Sequence, residues 1–314
     1  MSRFILILLA GLLLLAGIAW FTLGRSGQEP SDPYESAAVM ASPWWQAEDR
    51  LIVLDGFEAR VRIEGPQDAP AIVMVHGFSH SLESWDDWAA GLSDDYRVIR
   101  MDLPGHGLTG PDPQERYSVP ETVDFLGQVL DALAVEEVVL AGNSLGGLVA
   151  WRYAADNPER VSKLVLVSPG GYSINGVTED PVAVPLAIRL FMSDAPEGVV
   201  NAATASLYGN PEALDLADAE RIFTLMRGEG IPQALIRRLE VFTLPDPTDD
   251  LARVDVPTLI LWGEADAMVP VEHGSRFVSD MPDARLITYE GVGHLAHDEA
   301  SEATLSDVRS FLEE

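Results

Sequence analysis

One serine in this 314-residue chain stands where a nucleophile could be made. The run Val138-Val-Leu-Ala-Gly142-Asn-Ser144-Leu-Gly146-Gly147 reads as a buried strand, a G-x-S-x-G turn and the start of a helix. A serine on so sharp a turn has unfavourable backbone angles, and glycine two residues to either side removes the Cβ atoms that would clash. The turn directs Ser144 Oγ out of the sheet and aims the Leu145 N–H at the same space, close to a helix N-terminus. A hydroxyl becomes a useful nucleophile only when a base takes its proton. The chain offers six histidines: His76, His80, His106, His273, His294 and His297. His294 follows the last strand in Gly291-Val-Gly293-His294, a short glycine-flanked loop from which its ring could swing over Ser144. His297 opens the final helix and reads as a surface or supporting residue. The base needs a carboxylate to fix its tautomer. Asp266, just after the strand that ends at Trp262, is the candidate, and Glu264 is the nearby alternative.

Strands and helices must deliver these residues to one edge of a sheet. Leu51–Leu54 and Ala59–Ile63, separated by Asp55-Gly56, predict an antiparallel hairpin. Ala71–Val75, Tyr96–Met101, Val138–Ala141, Lys163–Val167, Thr258–Trp262 and Leu286–Tyr289 have the composition of buried strands. Helical patterns fall between and after them, at Leu82–Leu92, Pro120–Leu133, Leu145–Ala155, Val271–Met281 and Glu299–Leu312. This alternation predicts an α/β fold, with a mostly parallel eight-stranded sheet covered by helices on both faces. The rhythm breaks between Gly171 and Asp250, where apolar residues have helical spacing and no strand signal appears. A helical cap or lid is therefore expected over residues 172–250, at the C-terminal edge where open α/β sheets bind ligands. The core then comprises residues 44–171 and 251–314.

Composition narrows the possible partners. Twenty Lys+Arg stand against 50 Asp+Glu, a net charge of −30, and Lys163 is the only lysine. Such a surface repels polyphosphate, which excludes nucleic acid as a partner, and it points to neutral rather than anionic substrates. With no cysteine, disulfides, thiolate catalysis and Cys-ligated metals are excluded. No H-E-x-x-H or clustered ligand pattern suggests a metal, and no cofactor is expected. Arg237-Arg238 is a pair rather than a basic patch, for which a solvated helix face is sufficient.

Residues Phe4–Leu23 form 20 consecutive uncharged residues, about 30 Å of helix and enough to cross a bilayer core. Residues 1–25 are read as a membrane anchor in preference to a cleaved signal, because the apolar run continues past the small residues at Gly17-Ile18-Ala19. Residues 26–43 read as a linker. Both readings export the rest of the chain, with the catalytic domain expected on the extracytoplasmic side or secreted after cleavage.

The order Ser144, Asp266, His294, with G-x-S-x-G on a strand-to-helix turn, resembles the α/β-hydrolase superfamily of serine hydrolases. Val75-His76-Gly77-Phe78 is similar to that family's oxyanion loop, and Asp102-Leu-Pro-Gly-His106-Gly to its following glycine turn; the resemblance runs from Asp49 to the C-terminus. It implies that Phe78 and Leu145 supply the oxyanion N–H groups, that His76 is structural, and that Asp102 and His106 form the turn. The chain is most similar to membrane-associated bacterial esterases and lipases. A small neutral ester or lipid substrate is accordingly expected, with an acyl pocket among Phe191, Met192, Phe223, Met226 and Phe242. Trp85 and Trp88 are read as packing first, with Trp85 a possible substrate contact. Carbon–carbon bond hydrolases share the Gly-Asn-Ser-x-Gly-Gly pattern and form the alternative, as does a non-catalytic binding scaffold. Removing residues 1–25 is expected to leave a soluble, folded protein by circular dichroism and gel filtration; an unfolded product would make that segment part of the core.

Overall fold

A computed structural model describes residues 36–314; the expected anchor and most of the expected linker lie outside the described residues. Among the described residues no helix is long and apolar enough to cross a membrane. Helix α1 (Ser36–Met40) comes first, and its Val39 is buried against Leu108 and Leu225. Part of the segment read as linker is thus packed on the core, because this valine finds apolar neighbours on two other parts of the chain.

Eight strands follow, β1 (Asp49–Leu54), β2 (Phe57–Glu64), β3 (Ala71–Val75), β4 (Arg97–Met101), β5 (Val138–Asn143), β6 (Val161–Val167), β7 (Thr258–Gly263) and β8 (Ala284–Tyr289). They form one sheet in the order β1-β2-β4-β3-β5-β6-β7-β8. The first two pairings are antiparallel and the other five parallel. Leu54 pairs with Phe57 across Asp55-Gly56, the expected two-residue hairpin, and Gly56 takes the positive φ of 95° that such a turn needs.

Helices α2 (Asp86–Leu92), α3 (Val119–Ala132) and α4 (Leu145–Asp156) connect the early strands. The cap carries α5 (Leu186–Asp194), α6 (Glu197–Ala205), α7 (Leu216–Met226) and α8 (Ile231–Val241), and the short α9 (Thr248–Leu251) returns the chain to the core. Then come α10 (Glu272–Asp280), α11 (Ala296–Glu299) and α12 (Ser301–Leu312). Two expected helices are divided. Leu82–Trp85 is a 3₁₀ turn before α2, and the final helix breaks at Ala300. Helix α3 starts on a capping box, Ser118 Oγ accepting from the Glu121 N–H while the Glu121 carboxylate accepts from the Ser118 N–H.

Period-two alternation sorts the strand side chains onto two faces. Val73, Val75, Ile99, Leu140, Leu166 and Ile260 pack with α3, α4 and α10, whereas Ile72, Met74, Val98, Val139, Val165 and Leu259 pack with α2 and α12. Trp85 and Trp88 belong to the second face, both fully buried.

That second apolar layer gives way to an ionic one at β2. Arg60 and Arg62, alternate residues of one strand, are 0% exposed. Asp49 accepts from Arg60 Nη2 at 2.8 Å and from Arg62 Nε at 2.6 Å, and Glu83 accepts from the same guanidiniums at 2.6 and 3.2 Å. Asp102 takes Arg60 Nη1 at 3.1 Å and the Leu82 and Leu108 amides at 2.8 Å each. Burial would raise the Asp49 and Glu83 carboxyls, but the arginines hold both below the usual range, Glu83 at about 2. Asp102 goes the other way, its burial outweighing Arg60. Removing one partner from a buried ion network leaves charge uncompensated. Asp49→Ala is expected to destabilise the fold by about 3–5 kcal/mol, measured by urea denaturation.

Candidate active site

Ser144 sits at the junction of β5 and α4 with φ 54° and ψ −113°, the strained turn that its flanking glycines predict. A Cβ on Gly142 would lie 2.4 Å from the Gly146 carbonyl oxygen, and one on Gly146 would lie 2.0 Å from that of Val75. The helix start is thus pressed directly against the end of β3. That contact brings up the His76-Gly77-Phe78 loop: a Cβ on Gly77 would lie 3.3 Å from Ser144 Cβ. Among the described residues, neither Phe78 nor Leu145 donates its backbone N–H to a protein acceptor.

Asn143, quoted in the motif but given no role from sequence, joins three strand ends. Its side-chain amide donates to the Val167 carbonyl at 3.1 Å and to the His294 carbonyl at 3.2 Å. The residue before the serine therefore holds the backbone of the histidine, 151 positions later. His294 Nδ1 meets Asp266 Oδ2 at 2.8 Å, while Asp266 Oδ1 accepts from the Met268 and Val269 amides. Burial alone would raise the Asp266 carboxyl, but His294 and these amides keep it below the ordinary carboxylate value. A carboxylate fixed on Nδ1 leaves Nε2 as the nitrogen able to accept a proton. Glu264, the alternative acid, instead accepts from the Thr288 hydroxyl on an exposed edge.

The other five histidines are all shifted below the ordinary imidazole value, burial being the leading cause in each. His76 donates Nδ1–H to the Gly77 carbonyl and accepts the Leu103 amide on Nε2, a structural role in the loop. His80 donates to the Phe78 carbonyl at 3.1 Å, closing a turn in which Ser79 has φ 60°. His297 is not a surface residue: it is 1% exposed, with its ring 4.1 Å from that of Trp85. Short helix α11 turns it inward, away from solvent. Trp85, read as packing first, is committed to this packing and fully buried.

Asp102 and His106 form the turn after β4 as the resemblance implied; a Cβ on Gly107 would fall 2.3 Å from the Asp102 carboxyl. The cap closes over the loop through an apolar cluster. Met192, Met226, Phe191 and Phe223 pack there with Ile222 and Leu235, and Phe78 reaches the same cluster from the core. Phe242 does not join them, because the chain after α8 turns back and seats it on the main core. Arg238 corrects another expectation. It is 1% exposed rather than solvated, donating to the carbonyls of Pro104 and Tyr117 and to Thr122 Oγ1. Burial lowers its guanidinium to about 10, still charged at neutral pH, so it anchors α8 to the core. Arg237 beside it remains half-exposed, paired with Glu115 and Glu240.

The sequence profile of the Alpha/beta hydrolase family matches residues 72–307. An uncharacterized protein of Mycobacterium tuberculosis is 32% identical over 272 residues, covering 78% of this chain and 75% of its own length. The 2-hydroxy-6-oxo-6-phenylhexa-2,4-dienoate hydrolase of Burkholderia cepacia is 25% identical over 251 residues, covering 78% of this chain and 88% of its own. Among solved structures, a candidate lipase of Acinetobacter baumannii superposes with a TM-score of 0.74 at 25% identity, covering 91% of this chain and 98% of its own.

Gly146→Ala tests the close approach under the serine. The added methyl must move the Val75 carbonyl or α4, at an expected cost of about 1–3 kcal/mol, read as a lowered midpoint in thermal or urea unfolding.

Proposed function

The chain belongs to the Alpha/beta hydrolase family, and we propose that it hydrolyses neutral carboxylic esters through an acyl-enzyme on Ser144. In this reading Ser144 Oγ attacks the ester carbonyl and His294 Nε2 takes its proton, while Asp266 stabilises the imidazolium. The Phe78 and Leu145 amides receive the oxyanion, each worth roughly 3–4 kcal/mol in comparable sites. The proton then passes to the departing alkoxide, and water repeats the sequence on the acyl-enzyme. The observation that carries this is the joining of the strained Ser144 turn to the Asp266–His294 pair through Asn143.

Carbon–carbon bond hydrolysis is the second reading, favoured by the Burkholderia cepacia relative, whose named substrate is a dienoate. An anionic substrate would be served by a cation over the site. Every arginine of the cap is already engaged: Arg189 and Arg237 with Glu240, Arg221 with Asp218, Arg227 with three carbonyls of α5 and its end, and Arg238 with the core. Together with the net charge of −30, this favours a neutral ester under the apolar cluster of Phe78, Phe191 and Phe223. Attachment to a membrane through residues 4–23, with the catalytic domain outside the cytoplasm, is part of the same proposal and rests on the sequence of that run.

p-Nitrophenyl esters of increasing chain length test it. The wild-type protein is expected to cleave them, and Ser144→Ala to lose at least about 10⁴-fold in kcat, with Asp266→Asn of the same order. A folded wild type that spares every ester but cleaves a 2-hydroxy-6-oxo-dienoate would establish the second reading instead.

A further inference from the structure

The loop carrying His294 is gripped from two sides. On one side lies the end of β7, where a Cβ on Gly263 would fall 2.1 Å from the Gly293 carbonyl oxygen. On the other lies the cap segment 207–210, just after α6. The Leu207 carbonyl accepts the His294 amide at 2.7 Å. A Cβ on Gly293 would lie 2.3 Å from that same carbonyl, and one on Gly209 would lie 1.9 Å from the Gly291 carbonyl. Two backbones therefore run in direct contact, with no side chain between them.

One carboxylate bridges them. Glu299, the last residue of α11, accepts the Gly293 amide at 2.6 Å and the Gly209 amide at 2.9 Å on Oε2, and the Asn210 amide at 2.7 Å on Oε1. Three backbone N–H groups converge on one negative charge, two from the cap and one from the residue before His294. Charge-assisted bonds of this kind are the stronger class, and a neutral amide offers a single acceptor oxygen in their place. Tyr208, between the same residues, donates separately to Asp298 at 2.7 Å.

We infer that Glu299 is a positioning residue for His294: by clamping the cap segment 207–210 onto the Gly293-His294 backbone, it fixes where the imidazole stands over Ser144. The inference rests on His294 being the base of the proposed mechanism. It also implies that this end of the cap travels with the histidine and does not swing clear of it.

The test uses the full chain and an alkyl fluorophosphonate, in which Ser144 Oγ displaces fluoride from phosphorus and yields its proton to the imidazole. Labelling reports the serine–histidine unit whatever the natural substrate is. Glu299→Gln is expected to slow labelling about 10-fold, and Gly209→Ala, which forces the same backbones apart without touching the carboxylate, by up to about 10²-fold. In both, the pH dependence of the labelling rate should shift, while circular dichroism remains native. Glu240→Gln, which weakens the Arg189 and Arg237 pairs elsewhere in the cap and leaves segment 207–210 untouched, should keep labelling within about 3-fold of wild type. Unchanged labelling and pH profile in the folded Glu299→Gln and Gly209→Ala proteins would overturn the inference. So would an equal loss in Glu240→Gln, which would mean general loosening of the cap, or a wild type that is not labelled at Ser144 at all. A wild type that is labelled but cleaves no ester would sink the ester reading alone, leaving the clamp to be judged by its own variants.

Discussion

Strands β3 and β5 lie side by side, and the segments beyond them can share one site only if their backbones nearly touch. The contact that allows this is Gly146 against the carbonyl of Val75, with no space for even a methyl group between. It lets α4 leave β5 steeply enough to strain Ser144, and it carries the Gly77-Phe78 loop up to that serine. Everything else at the site is arranged around this pair of strand ends. Asn143 extends the arrangement to β6 and to the His294 backbone, and the turn after β7 supplies Asp266. The strain is local, whereas the restraints on it come from four different strands.

Holding such a site takes more than apolar packing. Loops at strand ends expose polar backbone, and a hydrophobic layer gives that backbone nothing to bond to. This protein replaces the apolar layer with arginine and carboxylate where the 3₁₀ turn at Leu82 and the turn at Leu108 need partners. Asp102 serves both turns and is itself held by Arg60. A buried ion network is a poor source of net stability compared with hydrocarbon, but it fixes direction in a way hydrocarbon does not. Arg238 serves the cap similarly, binding carbonyls of the core from α8.

The strands were legible because buried strands have a simple composition, and the G-x-S-x-G turn because sterics leave so few residues able to form it. The order of serine, acid and histidine pointed to three side chains, of which Asp266 and His294 meet in the structure, and the resemblance added Phe78. The misses have physical causes. Arg60, Arg62 and Arg238 look like surface residues to any composition rule, since only tertiary contacts can show that a charge is compensated inside. His297 was misjudged because helix α11 is too short for periodicity to show its inward face. Helix α6, with Gly198 and alanines in place of large apolar residues, carried too weak a stripe to be recognised. Glu299 stood inside an expected helix, and nothing local shows that two of its three partners lie 89 and 90 positions upstream.

Burying so many imidazoles has a thermodynamic side. Burial drives His76 to about 3, His80 to about 4, and His106 and His297 well below the free value, so the native fold holds these rings unprotonated. The unfolded chain binds a proton at each of them once the pH falls below about 6.5. Acid therefore acts as a ligand for the denatured state, each ring withdrawing about 1.4 kcal/mol of stability per pH unit until its own native value is reached. Above that threshold the four rings contribute no such penalty. The low-pH boundary of this fold is thus set in part by neutral histidines packed near the Ser144 edge of its sheet, however acidic its surface.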